Sequence, residues 1–227
     1  MKTFYELQEG LNDPNIFKAF FLAGGPGSGK SYIVRKTTGG TGLRVINSDP
    51  AFEKLLNDAG LSMKMPKDET EARDAVRKRA KELTKKIGRN YMEGRIGLII
   101  DGTGKKYDGI AKQKAELESL GYDCYMIFVN TSIDVALQRN TKRDRVVPES
   151  IVISSWKAVQ SNIGKFNNLF KNGMIIVDNN KTDEDVEMMT FKRVKALLKN
   201  KVTNRRAKQW VEMEMQRRGI TKKPKGF

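Results

Sequence analysis

Residues 19–35 read Ala-Phe-Phe-Leu-Ala-Gly-Gly-Pro-Gly-Ser-Gly-Lys-Ser-Tyr-Ile-Val-Arg. A short apolar run leads into Gly24–Ser31, which fits the pattern G-x-x-x-x-G-K-[ST] with Gly24, Gly29, Lys30 and Ser31 at its set positions. Glycines let a backbone wrap closely around an anion and aim several N–H groups at it. Gly25, Gly27, Ser28 and Gly29 are therefore expected to line a phosphate. Lys30 is expected to reach the β- and γ-phosphates, and the Ser31 hydroxyl to hold Mg²⁺. Tyr32–Arg35 would open a helix whose positive end faces the same phosphates. The stretch predicts strand, loop and helix around ATP.

Four further short runs, rich in β-branched and aromatic residues, recur at 43–47, 97–100, 124–129 and 174–177. Between them lie segments of helical spacing. Ala75, Val76, Ala80, Leu83 and Ile87 form one stripe; Val186, Met189, Val194, Leu197 and Leu198 form another. Thr182 with Asp185 resembles a capping box for the latter, and Pro148-Glu149 suits the first turn of a helix. Strands alternating with helices predict an α/β fold with a five-stranded parallel sheet covered on both faces. No internal repeat is present.

The chain has 227 residues, a net charge of +16, no histidine and a single cysteine, Cys124. His/Cys zinc sites and Ser-His catalysis are thereby excluded, leaving carboxylates, lysines, arginines and a bound metal ion for any chemistry. No run of apolar residues is long enough to span a membrane, and Met1–Glu6 lacks the apolar core of a secretion signal, so the cytoplasm is the expected setting. From Lys192 to Phe227 thirteen Lys and Arg stand against two Glu. Residues 1–199 read as the main domain and 200–227 as a basic extension, with a helix from Arg205 to Arg218 and a frayed end. Arg73, Arg77, Lys81 and Lys85 form a second basic surface, opposite the apolar stripe. Each surface is either a solvated face or a contact for a phosphate-rich partner; the scarcity of interspersed acids favours nucleic acid, for both the helix Arg73–Lys85 and the tail.

In parallel α/β sheets ligands sit beyond the carboxyl ends of the strands. The second run ends in Asn47-Ser48-Asp49-Pro50 and the third in Asp101-Gly102-Thr103-Gly104. Asp101 reads as the acidic partner of the loop on Mg²⁺, or else as a turn residue. Asp49, across the cleft, is suited to accept the proton of an attacking hydroxyl, or else caps the next helix. Between two helices, Arg139, Lys142, Arg143 and Arg145 crowd a stretch of about 139–147 that would form a mobile lid; its arginines would offset transition-state charge. A hydrated basic loop is the plainer alternative. Asn179 and Asn180, after the fifth run, are candidates for the adenine, with Arg139 as a stacking plane.

Over roughly residues 17–180 the chain resembles P-loop kinases of the bacteriophage polynucleotide 5′-hydroxyl kinase and zeta-toxin group. The loop Gly24–Ser31, Asn47-Ser48-Asp49 and Arg139–Pro148 look like the polynucleotide kinase, while Ile99–Gly104 looks more like zeta toxins. The resemblance implies the P-loop kinase fold, with Asp49 as general base, Lys30 and Ser31 on ATP and Mg²⁺, and Arg143 or a neighbour as the lid arginine. It implies phosphorylation of a nucleic acid hydroxyl: a 5′-hydroxyl, or a hydroxymethyl on a modified pyrimidine such as 5-hydroxymethyluracil in phage DNA. The alternative it allows is a sugar nucleotide or other small molecule.

Overall fold

The apolar run that leads into the phosphate loop forms the middle strand of the sheet. In a computed structural model describing residues 10–64, 66–142, 146–181, 183–224 and 226–227, β1 spans Lys18–Ala23 and every residue of it is buried. Around it lie β2 (Arg44–Ile46), β3 (Leu98–Asp101), β4 (Asp123–Asn130) and β5 (Met174–Asp178), in the order β2-β3-β1-β4-β5. All four pairings are parallel, with Phe21 beside both Ile100 and Met126. The strands are the five predicted runs to within a residue or two.

Because successive strand residues face opposite ways, the sheet feeds two cores. Phe20, Leu22, Ile99, Ile127 and Val177 face α1 (Lys30–Thr38) and α8 (Glu184–Lys199), through Ile33, Val194 and Leu197. Ala19, Phe21, Leu98, Met126 and Phe128 face the other way. They meet Leu117 of α4 (Tyr107–Ser119), Val159 of α6 (Glu149–Gln160) and Phe166 of α7 (Ile163–Phe170). A third, smaller cluster joins Phe52 and Leu56 of α2 (Asp49–Asp58) to Ala80 of α3 (Thr70–Glu93). Helix α5 (Ile133–Thr141) follows β4, and among the described residues no helix is long and apolar enough to cross a membrane.

Three helix readings need correction. On α3 the inward line is Val76, Ala80, Thr84 and Gly88; Ala75 is exposed, Leu83 is 40% exposed and Ile87 46%. A Cβ at position 88 would press to 3.3 Å from Ile46, so the helix lies against β2 at its small residues rather than its large ones. On α8, Thr190 takes the inward place expected for Met189, which is 70% exposed. The helix is capped by Asp183, whose carboxylate accepts from the N–H groups of Asp185 and Val186; Thr182 lies outside the described residues.

The basic C-terminal segment is woven into the main core. In α9 (Arg205–Arg218), Ala207, Val211 and Met215 are buried at four-residue spacing, and Val202 precedes them. Ahead of β1, Phe17 meets Trp210 and Phe227 edge-on, at 5.5 and 6.1 Å between ring centres. The end of the chain is thus not the frayed tail expected: the Val202 N–H donates to Gly226 O at 3.0 Å. Arg206 donates to Ser119 O at the foot of α4, and Gly121 can approach Ala207 closely because it lacks a Cβ. Helix α9 therefore crosses the amino ends of β1, β3 and β4. The phosphate loop leaves the carboxyl end of β1, a six-residue strand of roughly 20 Å at about 3.3 Å per residue.

Candidate active site

The loop after β1 is held from three sides. Gly24 N–H donates to Thr103 O at 2.9 Å, tying the loop to the segment after β3. The Asn179 amide donates to Ser28 O at 2.8 Å, and Arg139 of α5 donates to Asn179 O at 2.7 Å. Helix α6 closes the back, with the Trp156 backbone 3.7 Å from where a Cβ on Gly25 would stand, and its indole N–H on Thr131 O. Two glycines are obligatory. Gly27 (φ 79°) would drive a Cβ to 2.1 Å from Ala136 O, and Gly29 (φ 82°) to 2.3 Å from Asn179 Nδ2.

Two features mark the loop as an anion cradle. Gly29 is the N-cap of α1 and offers no side chain to its first N–H groups, which leaves them to a ligand. The Ser28 hydroxyl is buried with no protein partner, an unmet hydrogen-bonding group in the cradle itself. Phosphate oxygens satisfy both requirements.

The two carboxylates named from the sequence are brought together by a residue the sequence reading left without a role. Asn47 donates from Nδ2 to Asp101 Oδ2 at 2.8 Å, while its Oδ1 accepts the backbone N–H of Asp49 at 2.8 Å. An Asx residue two positions before Asp49 was the available signal. Asp49 begins α2, with Ser48 as the N-cap, so it lies in the first turn rather than at the cap. Burial pushes the Asp101 carboxyl above its ordinary range; Lys30 pulls it down and Asp49 pushes it up. Asp101 and Lys30 thus share one field, in which the carboxylate gains from a further cation.

The donor set fits Mg²⁺. Among the described residues no cluster of three or more acidic or sulfur ligands exists, so no all-protein cage is present. Mg²⁺ needs none: it keeps waters and phosphate oxygens and takes one or two protein oxygens. Ser31 Oγ at the start of α1 and the under-compensated Asp101 are suited to that part.

The lid residues divide. Arg139 lies in the last turn of α5, bonded to Asn179 beside the loop; Arg143 and Arg145 lie outside the described residues. Asn140 pins the far side, exchanging two hydrogen bonds with the Val147 backbone. Asn180, also a candidate for the adenine, accepts the Ser132 N–H through its Oδ1.

The basic face of α3 is corrected too. Arg77 does not point away from the apolar line: its Nη1 pairs with Asp49 Oδ1 at 3.0 Å, and its guanidinium lies 4.2 Å from the centre of the Phe52 ring. Arg73 turns back onto Pro66 O and Thr70 Oγ1. Lys81 and Lys85 are exposed as expected.

A zeta toxin family profile matches residues 8–187. No curated protein matches the chain in sequence. Among solved structures, the fold is similar to a chain from the PezAT chromosomal toxin–antitoxin system of Streptococcus pneumoniae. That match has a TM-score of 0.56 at 17% identity, covering 86% of this chain and 92% of that one. It is also similar to the AvrRxo1-ORF1:AvrRxo1-ORF2 structure with sulphate ions, with a TM-score of 0.53 at 15% identity, covering 76% of this chain and 61% of that one.

Proposed function

The chain belongs to the zeta toxin family of P-loop phosphotransferases, and from that premise we propose that it moves the γ-phosphate of ATP to a hydroxyl of a nucleic acid. The acceptor is a strand's 5′-hydroxyl or a hydroxymethyl on a modified pyrimidine. One observation carries this reading. Asp49 starts α2, and α2 packs along α3, whose solvent side exposes Lys78, Arg79, Lys81, Lys85, Lys86 and Arg89 against Glu71, Asp74, Glu82 and Glu93. The candidate base thus adjoins a long cationic helix, suited to track a phosphate backbone without reading sequence.

In this reading Lys30 and the loop N–H groups hold the β- and γ-phosphates. Asp49 takes the proton of the acceptor hydroxyl as its oxygen bonds to the γ-phosphorus; the bond to the β–γ bridging oxygen breaks and ADP leaves. Ser31 and Asp101 would hold Mg²⁺, which would supply charge neutralisation on the phosphates. Arg139, fastened through Asn179, supports the loop's shape.

A second reading, a kinase of a sugar nucleotide, has its own support. The basic helix α9 crosses the opposite end of the sheet from Asp49, so its charge is not explained by an acceptor at the site.

Label transfer from [γ-³²P]ATP decides between them, with single-stranded, duplex and base-hydroxymethylated DNA run beside sugar nucleotides. Transfer to polymer is expected, and transfer to sugar nucleotides alone overturns the nucleic-acid reading. Lys30→Ala and Asp49→Asn are each expected to cost at least about 10³-fold in turnover, with Asp49→Asn still binding ATP. Wild-type rates in either variant would remove that residue from its role.

A further inference from the structure

Asn179 follows β5, is only 4% exposed, and donates from Nδ2 to Ser28 O at 2.8 Å. Its own backbone is fixed on both sides. The Asn179 N–H donates to Asn130 O at 2.9 Å, and its carbonyl accepts Arg139 Nη1 at 2.7 Å. The amide is therefore a rigid post beside the phosphate loop. It fits there because position 29 has no side chain: a Cβ on Gly29 would lie 2.3 Å from Nδ2. The Ser28 N–H is engaged too, donating to Gly25 O at 3.1 Å. In a trans peptide the C=O and the N–H point to opposite sides of the chain. A donor that holds the Ser28 carbonyl thus turns the Gly29 N–H away from Asn179.

We propose that Asn179 is a positioning residue: it clamps the Ser28–Gly29 peptide so that the Gly29 N–H faces the phosphates, and it does not read the base. The inference rests on the ATP site of the kinase reading and on nothing about the acceptor. Glycine makes the clamp necessary. A peptide beside a glycine turns more freely than one flanked by side chains. Turned over, it would offer a carbonyl oxygen to an anion, and the two repel. Apparent affinity then falls in proportion to the fraction of molecules left competent. An amide suits the task, because it donates without adding a charge that would repel the phosphates or compete for Lys30. Arg139 acts at one remove, by holding the backbone that carries the clamp.

The test measures binding of the anion by itself. Inorganic tripolyphosphate, ATP and GTP are titrated calorimetrically into wild type, into Asn179→Leu, which keeps a similar volume without a donor, and into Asn179→Ala. Both variants should bind tripolyphosphate and ATP about tenfold more weakly, by one common factor, the scale of one lost orienting hydrogen bond. The ratio of ATP to GTP affinity should stay within about twofold of wild type. In turnover, KM for ATP should rise while KM for the acceptor does not move, a split that general loosening of the fold does not produce. Should Asn179→Leu fail to fold, Asn179→Ala gives the same comparison.

Unchanged tripolyphosphate affinity in a folded variant overturns the clamp; joined to a lost preference for ATP over GTP, it assigns Asn179 to the base instead. An equal rise in both KM values overturns it as well. A wild type that binds neither tripolyphosphate nor ATP overturns the clamp and the kinase reading together. A wild type that binds both but transfers phosphate to no acceptor overturns the kinase reading alone, and the clamp is then decided by the affinities of the variants.

Discussion

The two ends of one sheet are built from different materials. At the carboxyl end, Gly24–Ser31, Asn47, Asp49 and Asp101 form a surface of backbone, amides and carboxylates, with an unpartnered hydroxyl at Ser28. At the amino end, Phe17, Tyr122, Trp210 and Phe227 close around each other, and Lys18 is buried against Asp123. The first end presents polar groups that a ligand can meet; the second is closed by packed aromatic rings and a buried ion pair. Substitutions at the first should therefore be felt in turnover, and at the second in stability.

The largest expected effect on stability is at the amino end. Lys18 and Asp123 are register partners on β1 and β4, joined at 2.7 Å, with the lysine side chain only 3% exposed. Asp123→Ala strands that cation among apolar neighbours. It should cost about 3 kcal/mol of unfolding free energy, the low end for a broken buried pair because Asp123 itself is partly exposed. Chemical denaturation reads the loss directly. Turnover per folded molecule should stay near wild type, and a collapse of activity without loss of stability would erase the contrast between the ends.

Asp101→Asn is the mirror experiment. Burial is the first cause of its raised pKa, so the folded state holds that proton more tightly than the unfolded chain. This carboxyl therefore adds stability as pH falls toward its raised value and opposes folding once ionised above it. Asparagine removes the opposition while keeping an oxygen for the Asn47 amide. At neutral pH, without metal or nucleotide, melting should occur at the same temperature or higher. Turnover should fall on the order of 10²-fold through the lost metal ligand. A destabilised Asp101→Asn variant would mean that the carboxylate is structural.

What the sequence disclosed follows the same division. The carboxyl end was legible because phosphate binding is local: adjacent glycines, a lysine and a serine in fixed spacing. Strand-end carboxylates at 49 and 101 likewise follow from topology. The sheet was legible since buried parallel strands are continuous apolar runs. The amino end was not, because its partners are far apart in the chain. Lys18 and Asp123 each stand just before an apolar run, where a strand reading that starts at the first apolar residue leaves them out. Ala207, Val211 and Met215 make a three-turn stripe, but it is set among cations that read as a tail. Arg77 was misjudged for a related reason: its face was taken from Leu83 and Ile87, whereas α3 docks through Ala80 and Gly88, whose smallness permits close approach.

The smallest expected effect concerns charge. Deleting residues 203–227 would strip Ala207, Val211 and Met215 from the core, so truncation would report on folding rather than binding. Replacing exposed cations separates the two. A short single strand that starts at Asp49 enters at the carboxyl end of the sheet, whereas α9 crosses its amino end, roughly 20 Å away along β1. Bound at Asp49, it meets α3 and not α9. Lys81→Gln with Lys85→Gln should flatten the dependence of log affinity on log salt by about 1.4, near 0.7 for each phosphate left without its lysine. Arg205→Gln with Lys208→Gln on α9 should leave that slope within about 0.3 of wild type. The opposite ranking would move the acceptor to the amino end, away from Asp49 and Asp101. Such a result would separate polymer binding from phosphoryl transfer and favour the small-molecule acceptor for the site itself.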